Sequence, residues 1–493
     1  MKLSRVLAGL GERTIVGHQD VEVSGISADS RRVQKGHLFV ALPGEQVHGL
    51  SFLHEAERAG AAAVLSDQPC PTKLPQIITE NPRLALANVS NTFYGDPSTQ
   101  LKLIGVTGTN GKTTTTFAIR SIFLAAGVPC GLIGTVRYSG KDFSKYAPLT
   151  TPEPPELQRL LRRIVEEGNG ACAMEVSSQA LAQYRVAGCT FQSAVFTNLT
   201  HEHLDYHGTM QQYYQAKKML FDQQTCDARI AIVNRDDQYA RRVEKLRRRI
   251  RLPVLSYGME KEADFFITRC SISTRGSQFA VLHHGMETKV RTPLVGKYNV
   301  LNICAAFAVA VTNQIEKEAI LEGIRKMSYV PGRLEEVHFG QPFKIFIDYA
   351  HTHDAFRQLL PTLRLYTPKR LIHIFGCRGK RDRSKRPKMG KISGMLADVV
   401  VLTSDNPQTE DPAAIAQEVF EGVDSGDKQK VKIVLDRADA IHHAVRLAQP
   451  GDTIVITGKG NEAYQLIGKQ RLEFDEHEIF RQAVNLTTEA RRH

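Results

Sequence analysis

Short apolar runs with strand-like composition alternate with helical patterns along nearly the whole chain. The runs span residues 103–106, 171–176, 194–198, 230–233, 345–347, 371–375, 399–403 and 453–457. Because strands that are separated by helices pair most readily in parallel, this alternation predicts an α/β architecture with mostly parallel sheets. The chain has 493 residues and 42% apolar content, enough for several buried cores, and at roughly 150 residues per domain it predicts about three domains.

Two clusters of turn-forming residues interrupt the periodic pattern, YGDPST at 94–99 and YVPGR at 329–333. Domain boundaries fall in such segments, where few contacts cross. We therefore predict an N-terminal domain at 1–97, a central domain at 98–330 and a C-terminal domain at 331–493.

The chain carries 64 Lys and Arg against 52 Asp and Glu, a net charge of +12. This excess suits phosphorylated or carboxylated ligands, although nucleic acid or an anionic membrane would also suit it. The basic runs at 241–251 and 380–388 have few interleaved aromatic residues, which favours a solvated helix face over a nucleic-acid patch.

The eight cysteines are scattered without any Cys-x-x-Cys pair, which argues against a zinc site or a disulfide framework. The N-terminal residues show no secretion signal, and no stretch approaches 18 uncharged apolar residues. We expect a cytoplasmic protein with reduced thiols and no membrane span.

A glycine-rich loop, Thr107-Gly108-Thr109-Asn110-Gly111-Lys112-Thr113-Thr114, lies between the apolar run at 103–106 and a helical pattern at 117–126. Glycines let backbone N–H groups surround phosphate oxygens, a lysine reaches the β and γ phosphates, and a threonine hydroxyl can bind Mg²⁺. The usual spacing would need glycine at 106, where this chain has Val106, so the loop is a variant. It predicts an ATP site at residues Gly108, Thr109, Asn110, Gly111, Lys112, Thr113 and Thr114.

Acidic and histidine residues follow two further strands. Glu175 ends the run at 171–176, and the segment 201–208 (HEHLDYHG) follows the run at 194–198. Three histidines suggest zinc about as readily as magnesium, but the phosphate loop favours Mg²⁺. Lys217, on an amphipathic helical pattern, would by itself be interpreted as an ordinary exposed lysine.

Taken in order, several segments resemble the Mur ligases of peptidoglycan synthesis: 107–114, 174–178, 197–207, 216–217, 296–302, 332–333 and 348–352. The resemblance covers nearly the whole chain. Within the family it is strongest to the MurE group, which adds an amino acid to UDP-N-acetylmuramoyl-L-alanyl-D-glutamate (UDP-MurNAc-L-Ala-D-Glu), on the segments 29–31 (DSR), 385–390 (KRPKMG) and 405–407 (DNP).

The resemblance implies a three-domain architecture with a central P-loop ATPase-like parallel sheet and a C-terminal Rossmann-like domain. The three domains would bind UDP, ATP and the incoming amino acid, in that order. ATP would phosphorylate the D-glutamyl γ-carboxylate with Mg²⁺ present, and a free amino acid would attack the acyl phosphate, with a hinge near 330–333. The family resemblance also implies a monomer.

The resemblance assigns site residues by position. It places UDP-MurNAc-dipeptide contacts at Ser30, Gln46, Val47, Thr150, Thr151, Ser177, Gln183 and Arg185. It places further ATP contacts at Asn299, Asn302, Arg333, Asp348 and His351, and amino-acid contacts at Arg381, Asp405, Asn406, Gln408, Gly458 and Glu462. The implied metal ligands are Thr113, Glu175, His203 and Lys217, the last carbamylated by CO2; the implied catalytic residues are Lys112, Lys217, His203 and Glu175.

The segment 405–408 reads Asp-Asn-Pro-Gln, whereas relatives that add meso-diaminopimelate have arginine in fourth place, where it binds the distal carboxylate. Gln408 therefore favours L-lysine or a similar diamino acid over meso-diaminopimelate, although Arg378 and Lys380 could partly replace the missing charge. Gln179, His353 and Asn461 also depart from the family pattern.

Three other functions stay open on the sequence alone. One is a different amide ligase of the superfamily, such as a folylpolyglutamate synthetase-like or cyanophycin synthetase-like enzyme. Another is a noncatalytic nucleotide-binding scaffold, suggested by the motif departures. Nucleic-acid binding rests only on net charge and the run at 241–251, and we expect no nucleic-acid partner.

Overall fold

Three large sheets follow one another along the chain in the computed structural model, which describes residues 1–490 except Gln19, Glu45, Gln46, Gln224 and 246–251. Each sheet is covered by helices and has its own apolar core. The α/β fold predicted from the sequence is confirmed. The predicted domain limits, 1–97, 98–330 and 331–493, stay a prediction.

The N-terminal sheet has five strands in the order β1-β5-β4-β3-β2, with β1 antiparallel to β5 and the others parallel. Helix α3 begins at a proline, and the Asn81 side chain caps it by accepting a hydrogen bond from Leu84 N (3.0 Å). The elements are α1 (Leu3–Val6), β1 (Thr14–Val16), β2 (Gly25–Ser27), β3 (His37–Val40), α2 (Leu53–Arg58), β4 (Ala63–Ser66), β5 (Gln76–Ile78) and α3 (Pro82–Phe93).

The central sheet has eleven strands, and strand β6 lies parallel between β10 and β12. Both ends of the sheet are antiparallel extensions. Its strands are β6 (Lys102–Thr107), β7 (Cys130–Ile133), β8 (Arg137–Ser139), β9 (Ser144–Tyr146), β10 (Ala171–Glu175), β11 (Thr190–Phe191), β12 (Ser193–Phe196), β13 (Asp227–Ala228), β14 (Ala231–Asn234), β15 (Val254–Gly258), β16 (Phe265–Ser273), β17 (Gly276–His283) and β18 (Met286–Thr292), of which β11 and β13 form a separate pair.

The helices of this central part pack on both faces of the sheet, and α4 and α10 share one apolar core. They are α4 (Lys112–Ala125), α5 (Pro154–Glu166), α6 (Ser178–Ala182), α7 (Leu204–His207), α8 (Met210–Lys218), α9 (Ala240–Lys245), α10 (Lys297–Thr312) and α11 (Lys317–Lys326). Helix α9 covers the start of the basic run at 241–251, and residues 246–251 of that run lie outside the described part of the chain.

The C-terminal sheet has six strands in the order β19-β20-β24-β21-β22-β23, all parallel except β19. A hairpin of β25 and β26 follows it. The elements are β19 (Glu335–Val337), β20 (Lys344–Asp348), α12 (His353–Arg364), β21 (Leu371–Phe375), α13 (Lys385–Leu396), β22 (Val399–Leu402), α14 (Pro412–Glu421), β23 (Val431–Ile433), α15 (Arg437–Leu447), β24 (Thr453–Thr457), β25 (Tyr464–Ile467), β26 (Gln470–Glu473) and α16 (Glu476–Ala490).

The observed strands match the predicted apolar runs to within a residue or two. The helical pattern at 117–126 belongs to α4, which begins at Lys112, where Gly111 adopts a positive φ of 88° and redirects the chain. The predicted order of strand, glycine-rich loop and helix is confirmed. Among the described residues, no helix is both long and apolar enough to cross a bilayer.

Candidate active site

The glycine-rich loop connects the buried strand β6 to the first turn of α4. Gly108 has a φ of 148°, and a Cβ built there would lie 1.9 Å from Thr197 Oγ1. Thr109 N donates to Asn198 O (2.9 Å) and Asn110 N donates to Asn198 Oδ1 (2.9 Å), so the end of β12 holds the loop. The loop therefore packs too tightly for any residue other than glycine at position 108.

Two lysine side chains converge on one carbonyl of this loop. Lys112 Nζ and Lys217 Nζ each donate to Gly108 O at 2.8 Å, and Lys112 also reaches Thr109 O (2.8 Å). Burial lowers the pKa of Lys112, and burial together with the nearby Lys112 charge lowers the pKa of Lys217 well below its ordinary value. The interpretation of Lys217 as an exposed lysine is wrong, because its side chain is only 1% exposed and packs over the Tyr213 ring.

Glu175 lies at the carboxyl end of β10, beside the loop, and is buried. Its Oε2 accepts hydrogen bonds from Thr113 Oγ1 (3.0 Å) and Thr135 Oγ1 (3.1 Å), and its Oε1 accepts one from Thr135 N (2.9 Å). Arg333, from the segment that leads into the C-terminal sheet, donates from Nη2 to Thr113 Oγ1 (3.0 Å). The first turn of α4 is thereby linked to the end of β10 and to the segment that leads into the C-terminal sheet.

Residues of the segment 201–208 contact the C-terminal sheet. Glu202 Oε1 lies 2.5 Å from His351 Nε2, and His201 Nε2 lies 3.0 Å from Asp382 Oδ2. Burial acts to raise the pKa of Glu202, but His203, His351 and Lys385 outweigh it and hold that pKa well below its ordinary value. Burial also lowers the pKa of His203 to about 4, against the opposing effect of Glu202.

The residues present fit a magnesium ion of the kind predicted. Thr113 and Glu175 supply hydroxyl and carboxylate oxygens beside the phosphate loop, which are the donors that Mg²⁺ prefers. No group of three or more His, Cys, Asp or Glu residues in the described part of the chain could hold a metal by itself.

A cleft of about 290 Å³ opens from the phosphate loop toward the C-terminal sheet. The predicted ATP contacts among its lining residues are Asn110, Gly111, Thr113, Thr114, Asn299, Asn302, Arg333, Asp348 and His351. Burial raises the pKa of Asp348, whose Oδ1 and Oδ2 accept hydrogen bonds from Ala350 N (2.7 Å) and Leu334 N (2.6 Å). The structure thus brings residues from the central and C-terminal sheets into one cleft.

A second cleft, of about 890 Å³, lies between the N-terminal sheet and the central sheet. Asp29 and Arg32 line it from one side, and Gln183 and Arg185 from the other. Ser30, next to it in the chain, donates to Glu55 Oε2 (2.9 Å). Val47 is exposed, and Gln46 lies outside the described residues.

A chain of hydrogen bonds joins this second cleft to Glu175. Arg185 Nη1 donates to Thr151 O (3.0 Å), Thr151 Oγ1 donates to Glu175 O (2.9 Å), and Thr150 Oγ1 lies 3.0 Å from Thr135 Oγ1. Ser177 Oγ caps α6 by accepting a hydrogen bond from Ala180 N (3.2 Å). The predicted dipeptide contacts Thr151 and Arg185 are thereby linked to the backbone carbonyl of Glu175, and Thr150 is linked through Thr135 to its carboxylate.

The predicted amino-acid contacts gather at the carboxyl edge of the C-terminal sheet, where ligands of open α/β sheets bind. Glu462 Oε2 accepts from Asn406 Nδ2 (3.3 Å), and a Cβ on Gly458 would lie 2.8 Å from Asp405 Oδ2. The other two predicted amino-acid contacts have different partners: Arg381 Nη1 lies 3.5 Å from Asp205 Oδ2, and Gln408 N donates to Leu466 O (3.0 Å).

Several side chains that are central to this geometry were not predicted as site residues from the sequence: Thr135, Glu202, Tyr213 and Lys459. Glu202 lies within the histidine-rich segment that was singled out, so that segment was a usable signal for it. The others come from strands and helices distant in sequence, and no local pattern marks them.

Comparison with known proteins agrees with this arrangement. The chain matches the Mur ligase family catalytic domain at 22–103, the Mur ligase middle domain at 106–310 and the Mur ligase glutamate ligase domain at 332–460. It is 42% identical over 466 residues to the UDP-N-acetylmuramoyl-L-alanyl-D-glutamate–2,6-diaminopimelate ligase of Solibacter usitatus (strain Ellin6076), which covers 94% of each chain. It is 41% identical to the protein of the same name from Geobacillus kaustophilus (strain HTA426), covering 98% of this chain and 99% of that one.

Solved structures show the same relationship. A structure of a UDP-N-acetylmuramoyl-L-alanyl-D-glutamate–2,6-diaminopimelate ligase is similar over 100% of this chain and 99% of its own, with a TM-score of 0.69 and 31% identity. MurF from Acinetobacter baumannii shares the fold over 98% of each chain, with a TM-score of 0.68 at 19% identity. With its phosphate loop, its three sheets in sequence and these relatives, the chain belongs to the Mur ligase family and is an ATP-dependent ligase of peptidoglycan synthesis.

Proposed function

We propose that this ligase joins an amino acid to the D-glutamate γ-carboxylate of UDP-MurNAc-L-Ala-D-Glu, in the cytoplasm, during synthesis of the peptidoglycan precursor. The observation that carries the proposal is the position of Glu175: its carboxylate accepts a hydrogen bond from Thr113 of the phosphate loop, and its backbone carbonyl accepts one from Thr151, whose own carbonyl accepts one from Arg185 of the second cleft. A phosphoryl donor in one cleft and a carboxylate acceptor in the other would meet at this point.

The acceptor that we propose is 2,6-diaminopimelate, which is the amino acid named for the relatives at 38–42% identity. Gln408 favours lysine when it is considered alone, and that preference has no support among these relatives. Measuring turnover with diaminopimelate and with L-lysine compares the two acceptors directly.

The second cleft would hold the nucleotide substrate. Arg32, Arg159 and Arg185 line it, and guanidinium groups recognise phosphates and carboxylates well. Ser30, Gln46 and Val47 would contact the UDP end, while Thr150, Thr151, Ser177, Gln183 and Arg185 would contact the MurNAc-dipeptide end. This direction places the D-glutamate beside Glu175.

The first step would transfer the γ-phosphoryl group of ATP to the D-glutamyl carboxylate, releasing ADP. A carboxylate does not couple to an amine at neutral pH, because its oxygen is not a leaving group until it is phosphorylated. Phosphoryl transfer depends mostly on positioning and on neutralising charge. Lys112 would position the β and γ phosphates, and the N-terminus of α4 would add its positive potential.

Mg²⁺ held by Thr113, Glu175, His203 and a carbamate on Lys217 would neutralise charge on the phosphates. Carbamylation requires an uncharged amine, and the lowered pKa of Lys217 supplies one. The carbon of CO2 would bond to Nζ, and the amine would lose a proton, leaving a carboxylate-like group. Burial beside Gly108 would shield this group from hydrolysis in water.

In the second step the acceptor amine would attack the acyl phosphate carbon, phosphate would leave, and an amide bond would form. The acceptor would come from the carboxyl edge of the C-terminal sheet, with Arg381 on its α-carboxylate. Arg333 contacts both Thr113 (3.0 Å) and the Tyr349 ring (4.4 Å), so the segment at 330–333 would act as the hinge that brings the two parts together.

The test is ADP release by the purified protein with ATP, Mg²⁺ and UDP-MurNAc-L-Ala-D-Glu, with diaminopimelate or L-lysine as acceptor and the product mass confirmed. We expect turnover that depends on the acceptor and fails with UDP-MurNAc-L-Ala, which lacks the γ-carboxylate. Lys112→Met should abolish it, whereas Lys102→Met, at the exposed start of the preceding strand β6, should not. Absence of ADP release with every acceptor would refute the proposal.

The other ligase classes have weaker support. Likeness to a folylpolyglutamate synthase from Mycobacterium tuberculosis is at 20% identity over 77% of this chain, which shows the fold alone. The noncatalytic scaffold is not supported, because the chain belongs to a family of ligases.

A further inference from the structure

Four charged side chains from three loops form a cluster, the acid–base cluster, at the carboxyl edge of the C-terminal sheet: Arg378, Asp405, Lys459 and Glu462. Arg378 Nη2 donates to Glu462 Oε1 (2.7 Å), while Arg378 Nε and Lys459 Nζ each lie 3.6 Å from the Asp405 carboxylate. Two positive charges thus face two negative charges.

The cluster is incompletely satisfied by the protein. Asp405 is 1% exposed, and in the described part of the chain neither of its carboxylate oxygens has a hydrogen-bond partner. Arg378 Nε is likewise buried without a hydrogen-bond acceptor. Buried charged groups usually find partners, and exceptions call for a specific explanation such as a missing ligand. The Asp405 oxygens would accept hydrogen bonds from an ammonium. The Arg378 guanidinium, whose Nε lies 3.6 Å from Asp405 and whose Nη2 binds Glu462, would bind a carboxylate through its remaining N–H groups.

The cluster also lies beside the loop that contains Gln408. Gly379 N donates to Asn406 O (3.0 Å), and a Cβ on Gly379 would lie 1.9 Å from Pro407 O, so the loop of Arg378 packs directly on residues 406–407. The side chain of Gln408 carries no charge. Of the two cations in the cluster, Arg378 is the one whose own loop packs on residues 406–407.

We infer that Arg378 determines the specificity of the ligase, by binding the distal carboxylate of an acceptor whose distal end is a zwitterionic amino-acid group. Asp405 and Glu462 would bind the ammonium of the same end. The inference rests on the proposed function, and it identifies which acceptors the site accepts and why.

The charge balance gives the physical reason. In a site of low dielectric, each unbalanced charge is expensive, since water no longer screens it. A zwitterionic end carries one positive and one negative charge, so its binding leaves the net charge of the acid–base cluster unchanged. The lone ammonium of lysine instead adds one uncompensated positive charge. Removing Arg378 would leave the cluster with an excess of one negative charge, and the preference would then shift toward lysine.

The test compares kcat/KM for diaminopimelate and for L-lysine in the wild type, in Arg378→Gln and in Arg378→Lys. Loss of a charge-assisted, two-point contact should lower the diaminopimelate-to-lysine ratio roughly 10- to 100-fold in Arg378→Gln, mainly through KM for diaminopimelate. The ratio for Arg378→Lys should lie between those of the wild type and Arg378→Gln, because lysine keeps the positive charge but lacks the planar two-nitrogen edge of the guanidinium. Lys380→Gln removes the other basic side chain that the sequence offered as a replacement for the missing charge. Because Lys380 is exposed, this variant should leave the ratio unchanged.

The outcomes separate this inference from the proposed function. Turnover by the wild type with an unchanged ratio in Arg378→Gln, or equal loss with both acceptors, would overturn the inference and leave the ligase function intact. A wild-type preference for lysine would also overturn it. No wild-type turnover with any acceptor would instead refute the proposed function.

Discussion

Replacing Gly108 by alanine tests whether the phosphate loop works as the geometry indicates. The new Cβ would lie 1.9 Å from Thr197 Oγ1 and 3.1 Å from Asn198 N, so the loop or β12 must move by about 1 Å to restore a normal contact. The positive φ of 148° adds strain for any side chain. Strain of roughly 1–3 kcal/mol and overpacking of roughly 1–3 kcal/mol together predict a loss of roughly 2–6 kcal/mol in the free energy of unfolding.

The functional effect should exceed what instability alone explains. Gly108 O accepts hydrogen bonds from both Lys112 and Lys217, so a displaced loop moves two side chains of the site at once. A misplacement of about 1 Å can reduce turnover roughly 100-fold. We expect kcat/KM for ATP to fall by about that factor, measured by ADP release at a temperature where the variant remains folded.

Gly127→Ala is the matched control, because Gly127 has a φ of 74° and a Cβ there would meet nothing within 4 Å. It should lose only roughly 1–2 kcal/mol of stability, from backbone strain, and keep its KM for ATP. In the double variant Gly108→Ala/Thr197→Ala, removal of the clashing hydroxyl should restore part of the lost activity. If Gly108→Ala matched Gly127→Ala in melting temperature and in KM for ATP, the packing argument would be refuted.

Three further predictions concern buried ionisable groups. Lys217→Ala should abolish turnover, and formate or acetate should restore part of it by replacing the carbamate. Lys218→Ala is the control and should remain active. Full activity of Lys217→Ala would contradict the carbamate. Arg437→Met should lower the free energy of unfolding, measured in urea, by roughly 3–5 kcal/mol. Arg437 pairs with Glu476 (2.6 Å) in the core, and its loss leaves that carboxylate unpaired. A loss below about 1 kcal/mol would show that the pair is dispensable. Burial lowers the pKa of His373 from 6.5 to about 3, so its contribution to stability is present above pH 6.5 and is lost as the pH falls from 6.5 toward 3. In His373→Gln, the number of protons that the protein takes up on unfolding at pH 4–5 should fall by about one. An unchanged pH dependence of the free energy of unfolding would refute this.

The local features of the chain were predictable from its sequence. The alternation of apolar runs and helical patterns predicted the strands, and the glycine-lysine-threonine spacing predicted the loop between β6 and α4. Both depend on residues close together in the chain, whose side-chain period and φ preferences act without the rest of the fold. The histidine-rich segment was also visible, although its sequence did not say which residues it would contact.

The environment of Lys217 shows where this reasoning failed. Lys217 and Lys218 are adjacent and chemically identical, and an amphipathic pattern does not distinguish a buried lysine from an exposed one. Burial is decided by the packing of α8 against the phosphate loop, where Lys217 reaches a carbonyl 109 positions away in sequence. The family resemblance identified this lysine, while the residue pattern alone did not.

The sequence by itself determined the strand and helix order, the phosphate loop and the family of the chain, because these are local or motif-level properties. Only the tertiary structure decided which charges meet. Strand β24 lies between β20 and β21, and this order brings Arg378, after β21, beside Glu462, after β24, although 84 positions separate them. Pairing of this kind depends on strand order and register, which are set by the burial of whole sheets and not by any residue near the pair.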